Sequence, residues 1–217
     1  ISAFVREEDE VILFEPAYDS YVPAIKLNGG VPISFRMEYP DFRIDWDEVK
    51  RLVNARTRMI IINTPHNPSG SILTAEDMKQ LERLTTDSGI IILSDEVYEH
   101  ILFDGHRHES VCLYPALAER SMVICSFGNT FHATGWKMGY CIAPEIFMKE
   151  FRKVHQFMVF CANTPVQHAL AEYLQNEDNY HGLAAFYQQK RDYFLKALQA
   201  SRFNILPASG TYFQLLD

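Results

Sequence analysis

The chain has 217 residues, of which 47% are hydrophobic and 22% charged, the composition of an ordinary globular domain and not of a disordered tail. Its formal charge is -8 with no long basic run, which argues against nucleic acid or an anionic membrane surface as a partner, although a local basic pocket for one anionic cofactor stays compatible. No apolar run is long enough to span a membrane and no signal peptide is evident, so a cytoplasmic location is expected.

The opening Ile1 to Val5 reads like the last turn of an apolar helix, without a cap or a start methionine. Asp9 to Phe14 is a short apolar strand run that ends in Glu15-Pro16, and Asp19 to Leu27 can form a short helix before Asn28-Gly29-Gly30 stops it. Val31 to Phe35 is strand-like, and Asp45 is placed to cap a helix running to about Asn54. Met59 to Ile62 is a continuous apolar run, as expected for a strand buried on both faces. Thr74-Ala75-Glu76-Asp77 resembles a capping box that opens a helix to about Ser88, with Gly89 as its stop. Ile90 to Leu93, Met122 to Cys125 and Met138 to Ala143 are further strands, and Pro144 opens a largely helical stretch to about Ala200. Thr211 to Leu215 alternates like a strand, and both ends of the chain read as internal to a longer protein. Strands alternating with helices predict an α/β fold of three α/β/α layers around a mainly parallel sheet. The predicted domains are residues 1–200 and 201–217, the latter as the start of a small α+β domain, with the boundary near Ser201 to Pro207.

The four cysteines, Cys112, Cys125, Cys141 and Cys161, form no C-x-x-C pair and read as buried free thiols in a reducing compartment. His106 and His108 lie in a polar stretch with no third metal ligand in view, so a solvated loop and no metal site are expected. Phe147, Met148, Phe151, Phe157 and Met158 read as helix core.

In open α/β sheets, ligands sit beyond the carboxyl ends of the strands. Three buried runs end in polar clusters: Asn63-Thr64-Pro65-His66-Asn67-Pro68-Ser69-Gly70, Ser94-Asp95-Glu96-Val97-Tyr98, and Ser126-Phe127-Gly128-Asn129-Thr130. Taken singly, they read equally as a turn, a helix cap and a loop. Taken in this order, and followed by Thr134-Gly135-Trp136-Lys137-Met138-Gly139-Tyr140, they resemble the class I/II aminotransferases of fold type I, with the stretch from Ser126 to Ala143 closest to the methionine and kynurenine-type transaminases. The resemblance covers essentially the whole chain.

It implies pyridoxal 5'-phosphate as the cofactor, an amino acid and a 2-oxo acid as substrates, and a homodimer for the intact protein. It places Asp95 against the pyridine nitrogen, where a carboxylate keeps the ring protonated and electron-accepting. Asn67 and Tyr98 correspond to the partners of the ring's 3′ oxygen, and Tyr18 to the aromatic stacked on the ring. Ser126 and Lys137 correspond to the phosphate ligands. Asn63 supports the same loop or touches the substrate carboxylate. A glycine-containing phosphate loop and a carboxylate-binding arginine, which the family also uses, are implied to lie before residue 1 and after Asp217.

Asn129 stands where the family carries the lysine that forms the Schiff base and shuttles the substrate's proton. An amide is neither basic nor nucleophilic, so impaired turnover is expected, and Lys137, eight residues on, is already assigned to phosphate. Three functions stay open: an aminotransferase acting on amino acids of methionine, glutamine or aromatic type, a related C–S β-lyase, and a catalytically silent cofactor-binding homologue. A nicotinamide-binding domain is disfavoured because no G-x-G-x-x-G follows any strand.

Overall fold

Apolar runs bounded by turns form one six-stranded sheet in the computed structural model, which describes residues 1–217. The strands are β1 (Glu10–Glu15), β2 (Val31–Arg36), β3 (Thr57–Asn63), β4 (Ile91–Asp95), β5 (Ser121–Ser126) and β6 (Gly139–Ile142). The helices are α1 (Tyr21–Leu27), α2 (Trp46–Leu52), α3 (Ala75–Thr85), α4 (Pro115–Ala118), α5 (Phe127–Thr130), α6 (Glu145–Met158), α7 (Thr164–Tyr173), α8 (Asp178–His181) and α9 (Leu183–Leu198). The strand order is β2-β1-β3-β4-β5-β6. The first five strands are parallel and β6 is antiparallel to β5, so the expected mainly parallel α/β sheet is what forms.

Successive residues of a strand point to opposite faces, so a continuous apolar run feeds two cores at once. Ile12, Ile60, Ile62 and Ile92 pack on one face with Val49 of α2, Met78 and Leu81 of α3, and Leu117 of α4. Val11, Leu13, Met59, Ile61 and Ile91 pack on the other face with Ile25 of α1 and with Phe147, Phe151 and Val154 of α6. Each fully buried side chain of this size stabilises the fold by about 1.5–3 kcal/mol. The caps act locally. Asp45 accepts from the N–H groups of Asp47 and Glu48 at 2.9 and 3.1 Å, and Thr74 and Asp77 close the predicted capping box.

Several expectations are corrected. Thr211 to Leu215 is no strand: the tail makes only isolated bridges, Ile205 to Leu216 and Leu102 to Gly210, and a lone pair of short segments is too little to hold a regular ladder. The helix-core reading is only half right, because Phe157 and Met158 at the end of α6 are 87% and 69% exposed while Phe147 and Phe151 pack inward. Cys112 and Cys161 are exposed, and only Cys125 is fully buried. His108 is not solvated: its Nε2 lies 2.7 Å from the buried Glu96 carboxylate, which Ser94 also contacts at 2.7 Å. No helix is long and apolar enough to cross a membrane.

Gly139 pairs with Ser126 across β5 and β6, and a Cβ there would lie 2.4 Å from the carbonyl oxygen of Cys125. Gly139→Ala is expected to destabilise the chain by about 1–3 kcal/mol through overpacking against backbone. A urea midpoint unchanged by the substitution would contradict this packing.

Candidate functional site

Parallel pairing sets the site. β3 and β4 are in register with Asn63 opposite Asp95, and β4 and β5 with Asp95 opposite Ile124, so all three polar strand ends reach one rim. β1 and β3 are neighbours whose following strands lie on opposite sides, which makes the rim between them the switch point where α/β sheets open a crevice. Next to it, over the ends of β3, β4 and β5, the structure has a cleft of about 550 Å³ that Tyr18 and Tyr21 border from beyond β1. Tyr18, Asn63, Asn67, Asp95, Tyr98, Ser126, Asn129 and Lys137 all line it, so the eight residues singled out from the sequence come together.

The floor is fixed by hydrogen bonds. Asn63 Nδ2 donates to the Asp95 carbonyl oxygen at 2.9 Å, and its Oδ1 accepts the Asn67 N–H at 2.7 Å. The Asn63 amide thus ties the loop after β3 to the end of β4. His66 and Ser69, 2.7 Å apart, brace the same loop from the buried side, where burial holds the imidazole neutral with its pKa lowered to about 4. The Asn67 side chain itself faces the cleft.

Asp95 accepts from the Tyr21 hydroxyl at 2.5 Å and from the Val97 N–H at 3.3 Å. Burial raises its pKa, and these two donors pull it partly back. Tyr98 is 3% exposed and stands edge-on to Tyr212 and Phe213, with ring centroids 5.2 and 5.9 Å away. Burial raises its phenol pKa, so it stays a proton donor at neutral pH. Tyr18 is 43% exposed and packs edge-on against Tyr21 at the mouth.

Ser126 caps α5, accepting the Asn129 N–H at 3.2 Å, and its hydroxyl donates to Asn129 Oδ1 at 2.9 Å. Asn129 Nδ2 donates in turn to the hydroxyl oxygens of Tyr98 and Tyr212, both at 3.2 Å. Lys137 is exposed, sits in the left-handed region at φ 54, and takes part in none of the chain's ion pairs. A non-glycine residue held there stores strain of about 1–3 kcal/mol, a cost often found at binding sites.

The only charged groups lining the cleft are thus one carboxylate, Asp95, and one ammonium, Lys137, and they do not pair with each other. Such a cleft suits a flat ligand with a cation to offer Asp95 and an anion to offer Lys137 and Ser126. A protonated pyridine ring bearing a phosphate fits both demands, and the aromatic and amide side chains between them suit its ring and phenolic oxygen. No cluster of three or more His, Cys, Asp or Glu is placed to hold a metal.

Sequence reasoning missed Tyr21, Thr134 and Phe213 in the lining, and Tyr212 beside it. Tyr21 opens α1 three residues after Tyr18, close to a residue already singled out. Tyr212 and Phe213 arrive from more than eighty residues beyond Asn129 and carry no local signal.

Known proteins match the chain along its whole length. The family described as Aminotransferase class I and II matches residues 1–217. Methionine aminotransferase of Escherichia coli (strain K12) is 50% identical over 218 residues, a match that takes in 100% of this chain and 56% of the relative. Kynurenine–oxoglutarate transaminase 1 of Rattus norvegicus is 31% identical over 234 residues, with 99% of this chain and 55% of the relative covered. Among solved structures, YbdL from Escherichia coli, whose description reports a methionine aminotransferase function, superposes with a TM-score of 0.97 at 49% identity, covering 100% of this chain and 57% of that one. N-succinyldiaminopimelate aminotransferase from Mycobacterium tuberculosis gives 0.95 at 32% identity, covering 100% and 57%. The chain spans a little over half the length of these relatives.

The raised pKa of Asp95 has a consequence for stability. A carboxyl that binds its proton more tightly folded than unfolded favours the fold at low pH, and the fold loses that contribution as pH rises through the folded value. Asp95→Asn is therefore expected to raise the urea midpoint of the ligand-free chain at neutral pH and to leave it nearly unchanged at pH about 2–3, where Asp95 is protonated in both states. A midpoint lowered at neutral pH would contradict a carboxylate that its two donors compensate only in part.

Proposed function

From a chain that belongs to the class I and II aminotransferase family, we propose the cofactor-holding part of a pyridoxal-phosphate enzyme that moves an amino group from an amino acid to a 2-oxo acid. The observation that carries this reading is the cleft's unpaired carboxylate and ammonium, Asp95 and Lys137, separated by a lining of aromatic and amide groups. The names of the relatives favour an amino acid of methionine or aromatic type, and a glutamine-type substrate stays in the proposal on the resemblance alone. In the same reading residues 1–200 are the cofactor domain, residues 201–217 begin a small second domain, and the intact protein is a cytoplasmic homodimer. The unpaired cysteines suit a reducing compartment.

Pyridoxal phosphate, when bound, supplies an electron sink for bonds breaking at the substrate's α-carbon. The chain's own residues do the rest. Asp95 would hold the ring nitrogen protonated, with Tyr21 fixing the orientation of that carboxylate. Asn67 and Tyr98 would hold the ring's 3′ oxygen, and burial keeps the Tyr98 phenol protonated. Tyr18 would offer the ring an aromatic face. Lys137 would hold the phosphate, with Ser126 in the same lining.

Asn129 favours a second outcome for this chain, a holder of the cofactor without turnover. Its amide can neither anchor the aldehyde covalently nor carry a proton to or from the α-carbon, and the second loss alone costs about 10²–10⁴-fold in rate. Treatment with pyridoxal phosphate and borohydride, followed by peptide mass analysis, is expected to leave the cleft unmodified. Asn129→Lys is expected to gain a permanent adduct at position 129. A specific adduct on Lys137 of the unsubstituted chain would overturn the silent reading, and no adduct in the folded Asn129→Lys variant would overturn the cofactor reading.

A further inference from the structure

Asn129 does more in this structure than leave an amine out. A serine hydroxyl has one hydrogen to give. Ser126 gives its hydrogen to Asn129 Oδ1 at 2.9 Å, while its oxygen accepts the Asn129 N–H at 3.2 Å as the cap of α5. At the opposite end of the amide, both Nδ2 hydrogens go to hydroxyl oxygens, those of Tyr98 and Tyr212. Both donors and the acceptor oxygen of the Asn129 side chain are thereby used, and the amide cannot turn without breaking all three contacts.

We propose that Asn129 is a positioning residue that withholds the Ser126 hydroxyl hydrogen from an anion in the cleft. The inference rests on the cofactor reading above and deepens it. Phosphate recognition in this chain then falls chiefly to Lys137. A phosphate oxygen must displace Asn129 from Ser126 before it gains a hydrogen bond, so the net gain from Ser126 is small. The cleft of this chain accordingly distinguishes a phosphorylated pyridine from its unphosphorylated form less sharply than its constellation of residues suggests. Asn129→Ala releases the Ser126 hydroxyl without uncapping α5, because the variant keeps the backbone N–H that Ser126 accepts.

A double-mutant cycle on the full chain tests this, with pyridoxamine phosphate as the probe and equilibrium dialysis as the readout. The probe carries an amine in place of the aldehyde and so forms no adducts with surface lysines. Asn129→Ala is expected to bind it about tenfold more tightly, the size of one charge-assisted hydrogen bond gained. Ser126→Ala is expected to change affinity less than about threefold when Asn129 is present and to weaken it about tenfold in the Asn129→Ala background, a coupling between two side chains in direct contact. A purely structural role for Asn129 would weaken binding in every variant and show no such coupling. Equal effects of Ser126→Ala in both backgrounds would overturn the inference while leaving the cofactor reading intact, as would coupling that appears with Tyr98→Phe instead. Failure of all four chains to bind the probe would overturn the cofactor reading itself, and this inference with it.

Discussion

A parallel ladder leaves the carboxyl ends of its strands at one rim, and in this chain the register of β3, β4 and β5 decides which side chains meet there. Asn63 stands beside Asp95, and Ser126 lies two residues past the partner of Asp95 on the next strand. A slip of one residue on β4 would turn Asp95 into the core and bring Glu96 to the cleft, and it would also invert two buried faces of isoleucines. The apolar alternation that holds the sheet together therefore holds the site in place. Glu96 reinforces it from behind the sheet, where Ser94, His108 and the Val111 N–H satisfy a carboxylate that is 1% exposed.

The energetic character of the site follows from what the fold leaves undone. Elsewhere the chain neutralises its buried charge, as with Glu10 against Arg56 and Asn54, where the amide and guanidinium donors hold the Glu10 pKa below its usual range. At the cleft, Asp95 and Lys137 stay apart and unpaired. Burying an unpaired carboxylate is unfavourable, and a site that tolerates it exchanges some stability for an attraction to a complementary cation. Asn129 lines the same cleft as a neutral, fully bonded amide, which rigidifies the position without supplying a base.

Much of this was legible before any coordinates. The isoleucine-rich runs at 59–62 and 90–93 read as strands buried on both faces, and the turn and cap residues after them marked the rim. The eight candidate residues were named through the resemblance, which rests on the order of three strand-end clusters that singly read as a turn, a cap and a loop; the structure brings all eight to one cleft. What the sequence hid was long-range: Tyr212 and Phe213 reach the cleft through a tail whose only regular pairing is isolated bridges, and His108 reaches Glu96 from a stretch whose polar neighbours suggested water. The exposure of Phe157 and Met158 was equally unreadable, because the helical period says which residues share a face and not whether anything covers it.

The central claim is that Asp95 is an unpaired carboxylate waiting for a ring cation. Nitrogen NMR of pyridoxamine phosphate, isotope-labelled at the ring nitrogen and bound to this chain, reads that contact directly. At a pH well above the point where the free ring loses its proton, the bound nitrogen is expected to keep the shift of a protonated pyridine, and to lose it in Asp95→Asn. A bound ligand whose ring nitrogen titrates as it does in free solution would contradict the claim.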